Sequence, residues 1–150
     1  MECRQAVEDF PWMDAKSRIR GSVKEWRAAF PCARAVNVSL RNDIIDSDFV
    51  HIRGDARVQR LHTVNMALCH SVTNAAFVYL RGIRTLNMFI DWTSIGWTKM
   101  RQGKITDAAF IHLLRGIHTL NMYGCNQQAI TDAAFVNLRG IYKRTLLELL

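Results

Sequence analysis

With 150 residues, 49% of them hydrophobic and only two of them proline, the chain is long enough to bury one core and short enough that one domain is the default. No run approaches the roughly 18 apolar residues needed to cross a bilayer, and Met1-Glu2-Cys3-Arg4-Gln5 lacks the basic and apolar regions of a secretory leader, so no membrane association is expected. The net charge of +7 favours acidic surfaces, RNA or acidic proteins without selecting among them, and the scatter of the basic residues lowers the nucleic-acid reading.

Residues 1–32 read as an N-terminal helical segment, in which Lys16 to Pro31 suits an amphipathic helix that caps the first repeat. Residues 33–150 read as a repeat domain of about four to five units. Three near copies carry the signal: Val72 to Leu80 (VTNAAFVYL), Ile105 to Leu113 (ITDAAFIHL) and Ile130 to Leu138 (ITDAAFVNL), with Ile44 to Ile52 (IIDSDFVHI) as a diverged fourth. Each is followed by Arg-Gly, at Arg53-Gly54, Arg81-Gly82, Arg115-Gly116 and Arg139-Gly140. A second block recurs with apolar residues at fixed offsets, as Leu61, Val64 and Met66, as Ile83, Leu86 and Met88, and as Ile117, Leu120 and Met122. Ala33, Val36 and Val38 form an earlier, weaker version. The insertions, Asp55 to Arg60 and the segment before Ile105, leave both blocks intact, which makes the blocks structural units and the gaps surface loops.

The two blocks have different periods. Val64-Asn65-Met66, Leu86-Asn87-Met88 and Leu120-Asn121-Met122 alternate as half-buried strands do. The Thr-Asp/Asn-Ala-Ala-Phe block opens on residues that cap a helix, carries Phe77 with Leu80 and Phe110 with Leu113 at helical spacing, and follows Val72, Ile105 or Ile130, each placed to fold back as a staple. Arg-Gly closes the turn, since glycine readily takes the left-handed conformation. Each repeat reads as strand, loop, short helix, turn.

Ile117-His-Thr-Leu120-Asn-Met122-Tyr-Gly-Cys125 followed by Ile130-Thr-Asp resembles the leucine-rich-repeat pattern Leu-x-x-Leu-x-Leu-x-x-Asn/Cys, in the cysteine-containing subclass found in F-box proteins. Leu61 to Cys69 followed by Val72-Thr-Asn is a second match, whereas Asp91 and Arg41 stand at the cysteine position of the other two copies. The resemblance implies an α/β solenoid, with parallel strands on a concave face, short helices on the convex face and a helical N-terminal cap. Upstream, the stretch ending in Trp26-Arg27-Ala-Ala-Phe30-Pro31 resembles the closing half of an F-box, without that family's opening Leu-Pro. It implies that residues 1–32 contact the adaptor of a cullin-type ubiquitin ligase, and that the repeats are its substrate-recognition arm.

Stacked parallel strands turn equivalent positions into columns about 4.8 Å apart. With Val64, Leu86 and Leu120 facing the core beside the methionines, the residues between them are expected to point out. The expected partner-binding columns are Thr63, Thr85 and Thr119, then Asn65, Asn87 and Asn121, then Phe89 and Tyr123. The asparagines suit either a self-bonded ladder or a partner's polar groups. Phe89 and Tyr123 suit hot spots, or burial beneath the loop before Ile105. That loop, residues 90–104, interleaves Trp92 and Trp97 with Lys99, Arg101 and Lys104, the combination a single-stranded nucleic-acid site uses, but a drifted insertion with its tryptophans folded back fits the loop better.

Cys3, Cys32, Cys69 and Cys125 form no Cys-x-x-Cys pair and no zinc-spaced cluster, so neither a metal site nor a disulfide framework is expected, and free thiols fit a reducing compartment. Cys69 and Cys125 read as buried thiols, too far apart to bridge. His51, His62, His70, His112 and His118 follow the repeat rather than converge, and no nucleophile elbow, phosphate loop or zinc-protease pattern occurs. The expectation is an intracellular protein-recognition module, cytoplasmic or nuclear, with no enzymatic activity and no cofactor. The apolar end Thr145 to Leu150 lacks a polar cap, which fits a dimer contact, a truncated array or a decaying non-functional copy. Within it, Leu146 lands near the core position of a last strand.

Overall fold

The alternating triplets predict short strands, and in the computed structural model each of them is one: β1 (Ala35–Asn37), β2 (Thr63–Asn65), β3 (Thr85–Asn87) and β4 (Thr119–Asn121), joined by β5 (Lys143–Thr145). The structure describes residues 19, 21–53, 61–89, 105–113, 116–122, 124–125, 129–136 and 138, and the backbone of 143–145. All five strands are parallel and lie in the order β1-β2-β3-β4-β5, so sheet order and chain order coincide. Pairing runs past the triplets: Met66 N–H donates to the Asn87 carbonyl at 2.8 Å and Leu68 N–H to the Phe89 carbonyl at 2.9 Å.

Parallel neighbours need a crossover, and the Thr-Asp/Asn-Ala-Ala-Phe blocks supply it. After an N-terminal helix, α1 (Val23–Ala29), a 3-10 turn (Asp46–Asp48) leads into α2 (Phe49–Arg53), and a 3-10 helix (Asn74–Leu80) serves the next crossover. Then come α3 (Asp107–Phe110), continued as a 3-10 turn (Ile111–Leu113), and α4 (Asp132–Val136). Arg81-Gly82 stops the Asn74–Leu80 helix, and Gly82 at φ 86 and Gly116 at φ 119 both stand in the region that favours glycine. Three of the blocks send their aromatic inward: Phe49, Phe77 and Phe110 are fully buried, and the Phe77 and Phe110 ring centroids lie 6.0 Å apart. Val36, Val64, Leu86 and Leu120 meet them from the sheet, so the core lies between strands and helices. The class is α/β, as expected.

Helix α1 packs on α2 and closes the first unit. Ser22 and Glu25 form a reciprocal capping box at its start. Arg27, buried, donates to the Ala33 carbonyl at 3.0 Å, and Trp26 packs against the core. The two residues that carry the F-box resemblance thus join the helix to the first strand.

Successive helix starts are bonded to one another, a pattern that the spacing of the repeats does not predict. Asp46 accepts the Thr73 N–H at 2.7 Å and the Thr73 hydroxyl at 2.6 Å. Asp107 grips Thr131 in the same two ways, at 2.7 and 2.6 Å. Between them Asn74 accepts the Thr106 N–H and donates to its hydroxyl, both at 2.8 Å. Each threonine oxygen also accepts from the backbone two residues on, as at Ala75, Ala108 and Ala133.

Two expectations are corrected. Apolar content favours Leu146 as the core position of the last strand, but Arg144 pairs with Leu120. Spacing from Arg139-Gly140, which equals that from Arg115-Gly116 to Leu120, decides the register against apolar content. Cys32 is disulfide-bonded, not free. A missing local motif does not exclude a bridge between distant residues, so the thiol argument for a reducing compartment lapses.

Asp46→Ala should lower the unfolding free energy in a denaturant titration by about 1–3 kcal/mol, since it strips both acceptors from Thr73. Asp46→Asn should recover most of that loss, because Asn74 already does the same work with an amide. Equal losses would make charge, not the two-point geometry, responsible.

Candidate functional site

Alternation places the partner-binding columns on the outward side of the strands. Thr63, Thr85 and Thr119 do form one row, paired strand to strand and half exposed. The asparagine row differs from expectation. Asn37 and Asn65 are buried, at 4% and 3% exposure, while Asn87 and Asn121 are half exposed.

Local bonding explains the difference. Asn37, Asn65 and Asn87 each accept, through Oδ1, the backbone N–H two residues ahead, at Ser39 (2.9 Å), Ala67 (3.1 Å) and Phe89 (3.1 Å). This is the turn that asparagine makes with its own chain. It ends the strand and leads into a left-handed residue: Leu40 at φ 63, Leu68 at φ 59, and Gly124 at φ 74 in the fourth copy. At least in the first three copies the amide oxygen therefore belongs to the fold, not to a ladder along the column. Asparagine's readiness to bond its own backbone was the available signal.

Phe89 is half buried at the end of β3 and its N–H is held by Asn87. Tyr123, Trp92 and Trp97 lie outside the described residues, as does the loop 90–104 on which the nucleic-acid reading stood. Beside the threonine row runs another that the alternating pattern does not mark. Arg34, His62, Arg84 and His118 immediately precede β1, β2, β3 and β4. The Arg34 carbonyl accepts the His62 N–H (2.7 Å) and the Thr63 N–H (3.1 Å), and the His62 carbonyl accepts from Arg84 and Thr85. In turn the Arg84 carbonyl accepts from His118 and Thr119. One basic residue per strand is thereby set in a line along the strands' N-terminal rim.

The two thiols are structural. Cys69 Sγ lies 3.0 Å from the Val38 carbonyl and Cys125 Sγ 3.3 Å from the Met88 carbonyl, each reaching the preceding strand's exit. Both are free of disulfides, and burial pushes their pKa values up to about 11 and about 12, so they stay protonated at neutral pH. Among the described residues no three His, Cys, Asp or Glu side chains gather into a metal-holding group. No helix among the described residues is long and apolar enough to cross a membrane. No family model and no curated protein matches the chain. Fold and site together define an α/β chain that presents an outward strand face with a polar row and a basic rim.

His62 lies between two arginines of that rim. Desolvation, then the charges of Arg84 and Arg34, hold its pKa below the ordinary 6.5. Below that value the unfolded chain takes the proton more readily than the folded one, so the fold loses stability as pH falls. Thermal melts from about pH 7.5 to about pH 5.5 should therefore drop further for the wild type than for His62→Gln. Parallel curves would show that the rim does not act on His62.

Proposed function

We propose that the chain is a short leucine-rich-repeat solenoid that holds a protein partner against its strand face. The observation that carries this reading is the coincidence of sheet order and chain order, with equivalent residues paired strand by strand. One strand per repeat in unbroken register makes a sheet face of repeated positions, which suits a partner laid across the strands better than a pocket for a small molecule. Thr63, Thr85, Thr119, Asn87, Asn121 and Phe89 provide its accessible hydrogen-bonding and aromatic groups. Asn65, buried and engaged with Ala67, shapes the face rather than meeting the partner directly.

Arginines introduced on the face would block it sterically while the core behind stays packed. The full chain and Thr85→Arg/Thr119→Arg should be used as paired baits in lysate of the native host. Val50→Arg/Ile111→Arg, which alters exposed apolar residues of the helical side, is the control. A partner retained by the wild type and the control but lost by the strand-face variant, at unchanged melting temperature, is the expected result. Loss in the helical-side variant alone would move the binding surface to the helices and overturn the reading.

A further inference from the structure

The residues before β1 repeat, position by position, the way one strand of this sheet hands over to the next. Val38, Met66 and Met88 are buried at the strand exits, and each donates its N–H to the asparagine carbonyl of the following strand, Asn65 (2.8 Å), Asn87 (2.8 Å) and Asn121 (2.9 Å). Ile19 does the same: it is buried, and its N–H donates to the Asn37 carbonyl at 3.2 Å. Two residues past the buried one the chain passes through a left-handed residue, Leu40 after Val38, Leu68 after Met66 and Gly124 after Met122. Gly21, at φ 85, follows Ile19 at the same distance.

Side chains continue the correspondence. Cys69 bonds the Val38 carbonyl and Cys125 the Met88 carbonyl. Arg41 stands where those cysteines stand: its N–H donates to the Val38 carbonyl as theirs donate to the Met66 and Met122 carbonyls. Its guanidinium donates to the Ile19 carbonyl, the group that a cysteine would reach in a later unit. Ser22 caps α1 as Thr106 caps α3, and the next strand block begins eleven residues on in both cases, at Ala33 and at Ile117.

We propose that Ile19 and helix α1 are the solenoid's own first unit, a strap along the edge of β1, and that Arg41 is the clasp that holds the strap in place. The proposal rests on the solenoid reading above. β1 stands first in the sheet order, and an uncovered edge strand offers its backbone groups to any other chain. A thiol donates one weak bond, whereas a guanidinium carries five donors. Arg41 spends them on the Ile19 carbonyl, on the Gly21 carbonyl at 3.0 Å and on the Asp43 carboxylate, which Nε meets at 2.6 Å. Asp43 thereby orients the fork, and the two carbonyls receive it at the turn from Ile19 into α1. Charge-assisted bonds are the stronger kind, so this unit is fastened more firmly than a thiol would fasten it. The Arg41 and Asp43 side chains are 21% and 66% exposed, which lets the clasp open without unpacking the core behind it. Trp26 and Arg27, which carry the F-box resemblance, are on this reading parts of the stack.

Amide hydrogen exchange on the full chain, followed by NMR at about pH 6 where ordinary thiols stay protonated, tests the assignment. The Ile19 N–H reports on the strap, and the Met66 and Met88 N–H groups report on the stack. Arg41→Ala should cut the protection of Ile19 about tenfold or more while Met66 and Met88 keep theirs, since a strap that opens locally leaves the later units closed. Arg41→Cys should exchange more slowly at Ile19 than Arg41→Ala, because cysteine makes the equivalent bond in the later units. Unchanged protection of Ile19 in Arg41→Ala, an equal loss at all three amides, or no difference between the two variants would overturn the proposal. Met66 and Met88 protected in the wild type keep the solenoid reading standing through any of those failures. If these two amides exchange freely in the wild type, the stack itself is absent and both readings fail.

Discussion

A two-point grip on a threonine sets the spacing of the whole molecule. Asp46, Asn74 and Asp107 each sit at the start of one helical block and hold both the N–H and the hydroxyl of the threonine that caps the next. A helix start leaves backbone donors without partners, and a capping oxygen satisfies only one of them. Here the cap itself is capped by the neighbouring unit, so local helix formation and stacking become the same event. With aspartate the threonine hydroxyl donates to the carboxylate and accepts from the backbone; with Asn74 it accepts from both sides. The amide therefore keeps the geometry but uses the hydroxyl less completely.

That constraint governs the sheet as well. Once the helix starts are fixed one against the next, the strands that precede them must advance by one position per unit, which is the register seen from Val36 through Val64 and Leu86 to Leu120. The asparagine at the end of each of the first three strands then turns the chain away, through a backbone bond and, after Asn37 and Asn65, a left-handed residue. Leu40 and Leu68 accept that conformation although it costs a side-chain-bearing residue about 1–2 kcal/mol. Gly124 reaches it without the cost, so the turn and not the residue is what the repeat preserves. Polar groups that looked available for recognition are thus held by the fold, and the face that is left is narrower than the sequence suggests.

Strands, helices and glycine turns were legible because each depends on nearest neighbours: alternation for Val64-Asn65-Met66, spacing of Phe110 and Leu113, the conformational freedom of Gly82 and Gly116. The threonine grip was not legible, since a Thr-Asp pair that caps its own helix and one that also holds the adjacent helix have the same letters. Asn65 was misjudged for a related reason: alternation assigns a side of the strand, but not whether an amide then bends back to Ala67. The register of β5 went wrong where apolar content and spacing disagreed, and spacing prevailed at Arg144. The line Arg34, His62, Arg84, His118 was present in the sequence, hidden by the alternating positions beside it.

The placement of charge has its origin in the same geometry. Carboxylates gather where helices begin, at Asp46, Asp107 and Asp132, the end at which a helix attracts negative charge, and Arg53 and Arg81 stand where helices end. After the Asn74–Leu80 helix the chain turns at Gly82 straight into β3, so Arg81 at that helix end and Arg84 before the strand lie three residues apart. At Asp46 and Asp107 the carboxylate that suits the start of a helix is also the group that grips the next threonine, so the charge preference of the helix end and the bond that links neighbouring units are met by one side chain.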